Sequence, residues 1–240
     1  SLILPRMNNA LQERTLREIM RSASEVMEDA GAQIVGGHTS MGAEFTIGFS
    51  VTGLAAKMPI TLGGAQVGDV LVLTKPIGTG VILAAEMQMR ARGNDVAEAY
   101  ESMARPLRVD AQALKMAHAM TDVTGFGLAG HLANICRASR VGAELDVNHV
   151  PLLKGALELS ASGVQSSLYP DNLSDVLSMM NQPKNARERL MLDPQTAGGL
   201  LAALPENEAH KAIETLAEKG IQAVIVGRIT NQTSRIDVIE

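Results

Sequence analysis

Met120-Thr-Asp-Val-Thr-Gly-Phe-Gly-Leu-Ala-Gly-His-Leu132 reads as a short strand ending in a carboxylate, a glycine-punctuated turn, and the first turns of a helix. Asp122 is the acid, and Gly125 and Gly127 are the punctuation. Two readings of this joint stand side by side. In one, a carboxylate at a strand end beside a glycine-rich helix entrance holds a metal ion against phosphate. In the other, Asp122 begins a turn and Thr124 caps a helix running from Phe126.

Outward from this joint the pattern stays mixed. Asn8 or Asn9 caps a helix that continues to Ala30, with apolar residues recurring at three and four from Leu16 onward and Gly31 as its stop. Ala32 to Gly36 reads as a short strand. Phe45, Ile47, Phe49 and Val51 alternate strictly, which predicts a half-buried strand over Glu44 to Gly53. Composition shifts across Lys57 to Gly68, placing a domain boundary between residues 1–62 and 63–240. Asp69 to Thr74 is a buried strand. Lys75-Pro-Ile-Gly-Thr-Gly80 then turns into a helix over Val81 to Arg90. Helices follow over Asn94 to Met103 and Pro106 to His118. Beyond the opening joint come a strand over Ala143 to Val147 and a helix over Pro151 to Ser162. Gly163 to Ser178 is irregular, and Lys184 to Met191 is a short charged helix. The last segment reads strand, helix, strand, strand: Leu200 to Leu204, Pro205 to Lys219, Val224 to Ile229, Arg235 to Ile239. The fold class is mixed α+β or α/β.

Composition narrows the function. Hydrophobic residues make up 46% of the chain, enough for a core, but aromatics are only 2%. Net charge is −5 with no long basic run, which argues against a nucleic-acid surface. Cys136 is the only cysteine, on a helical face with Leu128, Leu132 and Ile135, so it reads as a buried structural thiol. No apolar run approaches the ~18 residues of a membrane span. The expectation is therefore a soluble protein of a reducing compartment, the cytoplasm, without a membrane partner.

Three polar, glycine-containing loops lie at strand boundaries: Gly36 to Ala43, Thr121 to Gly127, and Asp193 to Gly199. Brought together they would form a polar pocket on an aliphatic scaffold. In Gly36-Gly-His-Thr39, the backbone N–H groups and the Thr39 hydroxyl are candidates to cradle a phosphate, with His38 donating to it or lying near a base. Asp122 is the candidate metal ligand. His118 and His131 are near in sequence, but their spacing fits no metal triad. Mg²⁺ bound by a carboxylate, water and nucleotide phosphates is the more coherent chemistry. There is no GxxxxGK[ST] loop, serine triad or Cys–His pair.

Gly36-Gly-His-Thr39, Thr121 to Leu132 and Asp193-Pro-Gln-Thr-Ala-Gly-Gly-Leu-Leu201, in this order and spacing, resemble the selenophosphate synthetase (selenide, water dikinase) family. Val51-Thr-Gly53, Leu73-Thr-Lys-Pro-Ile-Gly-Thr-Gly80 and the closing strands extend the likeness over essentially the whole chain. The resemblance implies an aminoimidazole ribonucleotide synthetase-like α+β fold. In it, residues 1–62 are the C-terminal part of an ATP-binding, dimer-forming domain and residues 63–240 the C-terminal domain. It implies the reaction ATP + selenide + water → selenophosphate + AMP + phosphate with Mg²⁺, in a homodimer. Asp122 matches a metal-binding aspartate, and Gly37, His38 and Thr39 match a nucleotide-contacting segment. Family members also carry a glycine-rich segment with a catalytic cysteine or selenocysteine and a lysine, which these residues do not contain. The chain is therefore expected to be part of a longer polypeptide and to have negligible turnover alone. The loop Thr39 to Glu44 looks like the variant fused behind an NADH-dehydrogenase-like domain.

Overall fold

The computed structural model describes residues 1–55 and 57–239. The chain divides into two compact units, Ser1–Met58 and Pro59–Glu240.

In the first unit, β1 (Leu2–Pro5) is followed by α1 (Asn9–Asp29), β2 (Thr39–Gly42) and β3 (Thr46–Ile47). β1 lies between its partners: parallel to β2, with Leu2 opposite Thr39, and antiparallel to β3, with Leu2 opposite Ile47. The apolar run Leu2–Leu4 is thus part of a central strand, with Leu2 and Leu4 buried. α1 starts where the sequence placed it, because the Asn8 side chain accepts from the Leu11 N–H at 2.9 Å. It ends at left-handed Gly31. Two expectations fail here. Ala32 to Gly36 forms no strand. The alternating segment pairs only at Thr46–Ile47, and its apolar side chains are exposed rather than half-buried. Alternation reports that one face is apolar, not that a partner covers it.

The second unit runs β4 (Val70–Leu73), α2 (Thr79–Met87), α3 (Gly93–Ala104), α4 (Arg108–Ala113), β5 (Ala119–Asp122) and α5 (Gly127–Ser139). It continues with β6 (Gly142–Asp146), α6 (Ala156–Ala161), α7 (Tyr169–Val176), α8 (Ala186–Leu190), β7 (Leu200–Leu204), α9 (Glu206–Ala217), β8 (Val224–Thr230) and β9 (Ile236–Ile239). Among the described residues its sheet has the order β5-β7-β4-β8-β6-β9. Pairing is antiparallel except between β6 and β9. Both faces are covered, which is why β4 and β7 are unbroken apolar runs. Leu71, Leu73, Leu201 and Ala203 point into a core with α2 and α5, whereas Val70, Val72, Leu200, Ala202 and Leu204 pack with Leu114 and the Ala209, Ala212, Leu216 stripe of α9. α7 replaces an expected irregular stretch, its Pro170 sitting in the first turn where a missing N–H is harmless. The helix expected over Pro106 to His118 is shorter, ending as α4 so that the chain can turn into β5.

Candidate functional site

The site grows from the end of β5. Asp122 opposes Leu200 at the strand's last pair, and Val123 N–H extends the ladder by one bond, donating to Gly199 O at 2.8 Å. The chain then turns over Thr124 to Phe126 and enters α5 at Gly127. That position requires glycine twice over. Its φ is +69°, and a Cβ there would lie 2.7 Å from the Leu192 carbonyl carbon. The Thr124 carbonyl accepts from Gly127 N–H at 3.0 Å and from Gln195 N–H at 2.9 Å. Asn172 of α7 donates through Nδ2 to Gly125 O at 2.8 Å and Leu192 O at 3.0 Å. A Cβ on Gly198 would stand 2.2 Å from Val123 O. Thr121 to Gly127 and Asp193 to Gly199 are therefore one interlocked structure.

Thr124 does not cap α5, contrary to one of the two readings of the joint. No side chain caps that helix. Thr124 N–H is directed instead at His131 Nε2, at 2.9 Å. The Ala129 N–H of α5 is taken by Met191 O at 2.8 Å, so this helix entrance is partly filled by protein carbonyls.

The loop 193–199 fills a second helix entrance, that of α2. Gln195 Oε1 accepts from Gly78 N–H at 2.9 Å, Thr79 N–H at 3.2 Å and the Thr79 hydroxyl at 3.1 Å. The Asp193 carboxylate accepts from the N–H groups of Val81 and Gly80 and from Gln195 Nε2, the last at 3.0 Å. Burial pushes the Asp193 pKa up to about 7, although these donors pull the other way. Gly80 has no Cβ, which would meet Pro194 O at 2.3 Å. Asp193 and Gln195 thus occupy the place a phosphate would take at the start of α2.

Lys75 reads in sequence as a turn residue, and in the structure it is fully interior. Its ammonium donates to Ser102 O at 2.6 Å, Arg105 O at 2.8 Å and Ala197 O at 2.9 Å. Burial and the Arg105 cation lower its pKa to about 8. The three carbonyls favour the charged form and keep it protonated at neutral pH. Arg105 in turn makes a two-pronged pair with buried Asp110, at 2.7 and 3.0 Å, and donates to Thr74 O at 2.8 Å. The signal for this network was Leu73-Thr-Lys-Pro-Ile-Gly-Thr-Gly80, a cation one residue beyond an all-apolar strand. Asn172 gave no signal, lying in the stretch read as irregular.

Asp122 stands apart from this satisfied framework. It is exposed, and its carboxylate makes no hydrogen bond or ion pair among the described residues. His118 is turned to Asp69, with Nδ1 2.9 and 3.0 Å from its two oxygens. His131 is buried, and desolvation lowers its pKa against the opposing pull of Asp122. No group of three His, Cys, Asp or Glu side chains converges among the described residues. The donor set fits a hard cation held by one carboxylate and completed by water and phosphate oxygens, the usual Mg²⁺ arrangement. It does not fit a zinc centre. Gly37, His38 and Thr39 lie in the first unit. All three are exposed, the His38 carbonyl is spent on Leu2 N–H at 2.9 Å, and the space where a Cβ of Gly36 or Gly37 would sit is open. No helix among the described residues is long and apolar enough to cross a membrane.

The AIR synthase related protein C-terminal domain matches residues 66–239, and the corresponding N-terminal domain matches residues 1–55. The chain is 31% identical over 234 residues to the selenide, water dikinase of Shewanella sp. (strain MR-4), covering 96% of this chain and 66% of that protein. It is 33% identical over 236 residues to the selenide, water dikinase of Myxococcus xanthus, covering 94% of this chain and 66% of that one. It spans about two thirds of the length of these relatives. Among solved structures, E. coli HypE, a hydrogenase maturation protein, superposes with a TM-score of 0.70 at 18% identity, over 100% of this chain and 68% of HypE. A HypE in complex with ATP gives 0.61 at 17%, over 99% and 68%. These likenesses fix an AIR synthase-like fold.

Proposed function

The chain belongs to the selenide, water dikinase family of AIR synthase related proteins, and from that premise we propose that it takes part in making selenophosphate from ATP, selenide and water, with AMP and phosphate as the other products. The observation that carries the proposal is Asp122: an exposed carboxylate with no hydrogen bond or ion pair among the described residues, at the end of a strand whose following turn is pinned by Gly199, Gln195 and Asn172. Asp122 would hold Mg²⁺, which when bound neutralises charge on the phosphate oxygens. Phosphoryl transfer depends mainly on positioning and electrostatics, and a rigid turn is suited to that task. Gly37, His38 and Thr39 would contact the nucleotide. The α2 entrance takes no part in phosphate binding, because Asp193 and Gln195 fill it. The exposed apolar residues Phe45, Ile47, Phe49 and Val51 of the first unit support a homodimer paired through that unit.

The test is a substrate screen with ATP and Mg²⁺ on the polypeptide that carries this chain. Selenide-dependent AMP release, lost in Asp122→Asn, is the expected result. ATP consumption driven by another small molecule and not by selenide would overturn the reading. A second reading is favoured by the lack of any cluster of three His, Cys, Asp or Glu side chains among the described residues: a nucleotide-binding and dimerisation module whose chemistry lies elsewhere in a longer polypeptide. It predicts that the 240-residue chain binds an ATP analogue yet releases AMP no faster than background.

A further inference from the structure

The bonds around Asp122 lead to a residue the reaction does not otherwise use. His131 lies in the second turn of α5, between Gly130 and Leu132, and is only 6% exposed. Its Nε2 accepts the Thr124 backbone N–H at 2.9 Å, with the Thr124 hydroxyl also near, at 3.2 Å. A nitrogen that accepts from an amide N–H carries a lone pair there, so the neutral ring bears its proton on Nδ1. Nδ1 faces the Thr121 hydroxyl at 3.4 Å, and that hydroxyl donates to the Asp122 carbonyl at 3.0 Å. The ring therefore reaches the residue before Asp122 through one nitrogen and the residue two after it through the other. Phe126 covers it from the solvent side, ring centre to ring centre 5.6 Å. That approach needs Gly130, where a Cβ would lie 2.8 Å from Phe126 Cβ.

We infer that His131, as the Nδ1–H tautomer, is the positioning residue of Asp122: it staples both sides of the aspartate to α5 and so fixes where the carboxylate meets a divalent cation. The inference rests on the reading of Asp122 as the Mg²⁺ ligand. Neither ring nitrogen is free to ligate a metal, so His131 acts only through the turn. α5 is a firm anchor, since Leu128, Ala129, Leu132 and Ala133 are fully buried. Burial lowers the His131 pKa, which keeps the ring neutral and Nε2 an acceptor. Mg²⁺ tolerates little departure from octahedral geometry, so a carboxylate loosened on its turn binds it poorly.

The test titrates Mg²⁺ calorimetrically into the full chain with a non-hydrolysable ATP analogue present, and reads the ring nitrogens by ¹⁵N NMR. His131→Leu removes the acceptor and is expected to weaken Mg²⁺ binding about tenfold. His131→Gln places an amide oxygen within reach of Thr124 N–H and is expected to restore most of that loss. The NMR signature expected is a pyridine-type Nε2 and a pyrrole-type Nδ1. Wild-type affinity in His131→Leu, with Asp122→Asn defective, overturns the positioning role and leaves Asp122 standing. Equal loss in the Leu and Gln variants makes ring packing the cause and also overturns it. Unchanged affinity in Asp122→Asn overturns the metal reading and the positioning role with it. The opposite tautomer overturns the staple on its own, whether or not the Leu variant folds.

Discussion

Asp122, at the end of β5, and Asp193, in the loop between α8 and β7, are both aspartates set near the start of a helix, and they have opposite fates. Asp193 is buried, and its carboxylate accepts from Gly80, Val81 and Gln195, closing the start of α2. Asp122 is exposed, at a joint whose helix entrance is already met by the carbonyls of Thr124 and Met191. One acid is consumed by the fold, and the other is presented by it. The difference lies in which backbone N–H groups are left over after folding, and not in the residue type. An aspartate near a helix start is thus a candidate ligand only when something else has satisfied the helix.

This contrast can be broken most violently at Gly198, where the two loops touch. Gly198→Ala puts a Cβ 2.2 Å from Val123 O and 3.1 Å from Gln195 Cβ. A cost of about 3 kcal/mol or more in chemical denaturation is expected. A cost below about 1 kcal/mol would show that the loops are not interlocked. Next comes Asp193→Ala, which strands the Gly80 and Val81 N–H groups in a buried site; we expect a loss of about 2–3 kcal/mol. Asp122→Asn, by contrast, should leave stability within about 0.5 kcal/mol of wild type, because no described residue makes a hydrogen bond or ion pair with that carboxylate. Similar stability losses in Asp122→Asn and Asp193→Ala would erase the distinction.

The acidity of Asp193 sharpens the same contrast more gently. Its folded pKa, near 7, lies above the ordinary value of 3.8. Between those values the folded state holds a proton that the unfolded state has released. Its contribution to stability is therefore full below about pH 4 and is lost as the pH rises through about 7, by an amount on the order of 2–4 kcal/mol. Asp193→Asn removes the titrating group and should flatten that part of the stability–pH curve, while Asp122→Asn should not. An unchanged slope in Asp193→Asn would place the titration elsewhere.

How much of this was legible in the sequence follows from the same physics. Asp69 to Thr74 reads as a buried strand and Leu200 to Leu204 as a strand, and the structure places β4 and β7 side by side. Asn8 announced α1. Thr124 looked like a cap because Ser, Thr and Asp near a helix start usually are, but the ring of His131, seven residues on, claimed its N–H. Lys75 reads in sequence as a turn residue, because nothing local says that the carbonyls of Ser102, Arg105 and Ala197 will converge on it. The alternating Phe45 to Val51 showed an apolar face but not its partner. Short local patterns report local geometry; bonds such as those of Lys75, which cross 27 to 122 residues, are made only by the fold.

The central question is whether Asp122 holds the cation. The direct measurement is calorimetric titration of Mg²⁺ with a non-hydrolysable ATP analogue, comparing wild type, Asp122→Asn and Asp193→Asn, each first checked for folding by denaturation. Loss of at least tenfold in Mg²⁺ affinity in Asp122→Asn, with Asp193→Asn retaining wild-type affinity, is the result expected. Equal affinity in wild type and Asp122→Asn would contradict it.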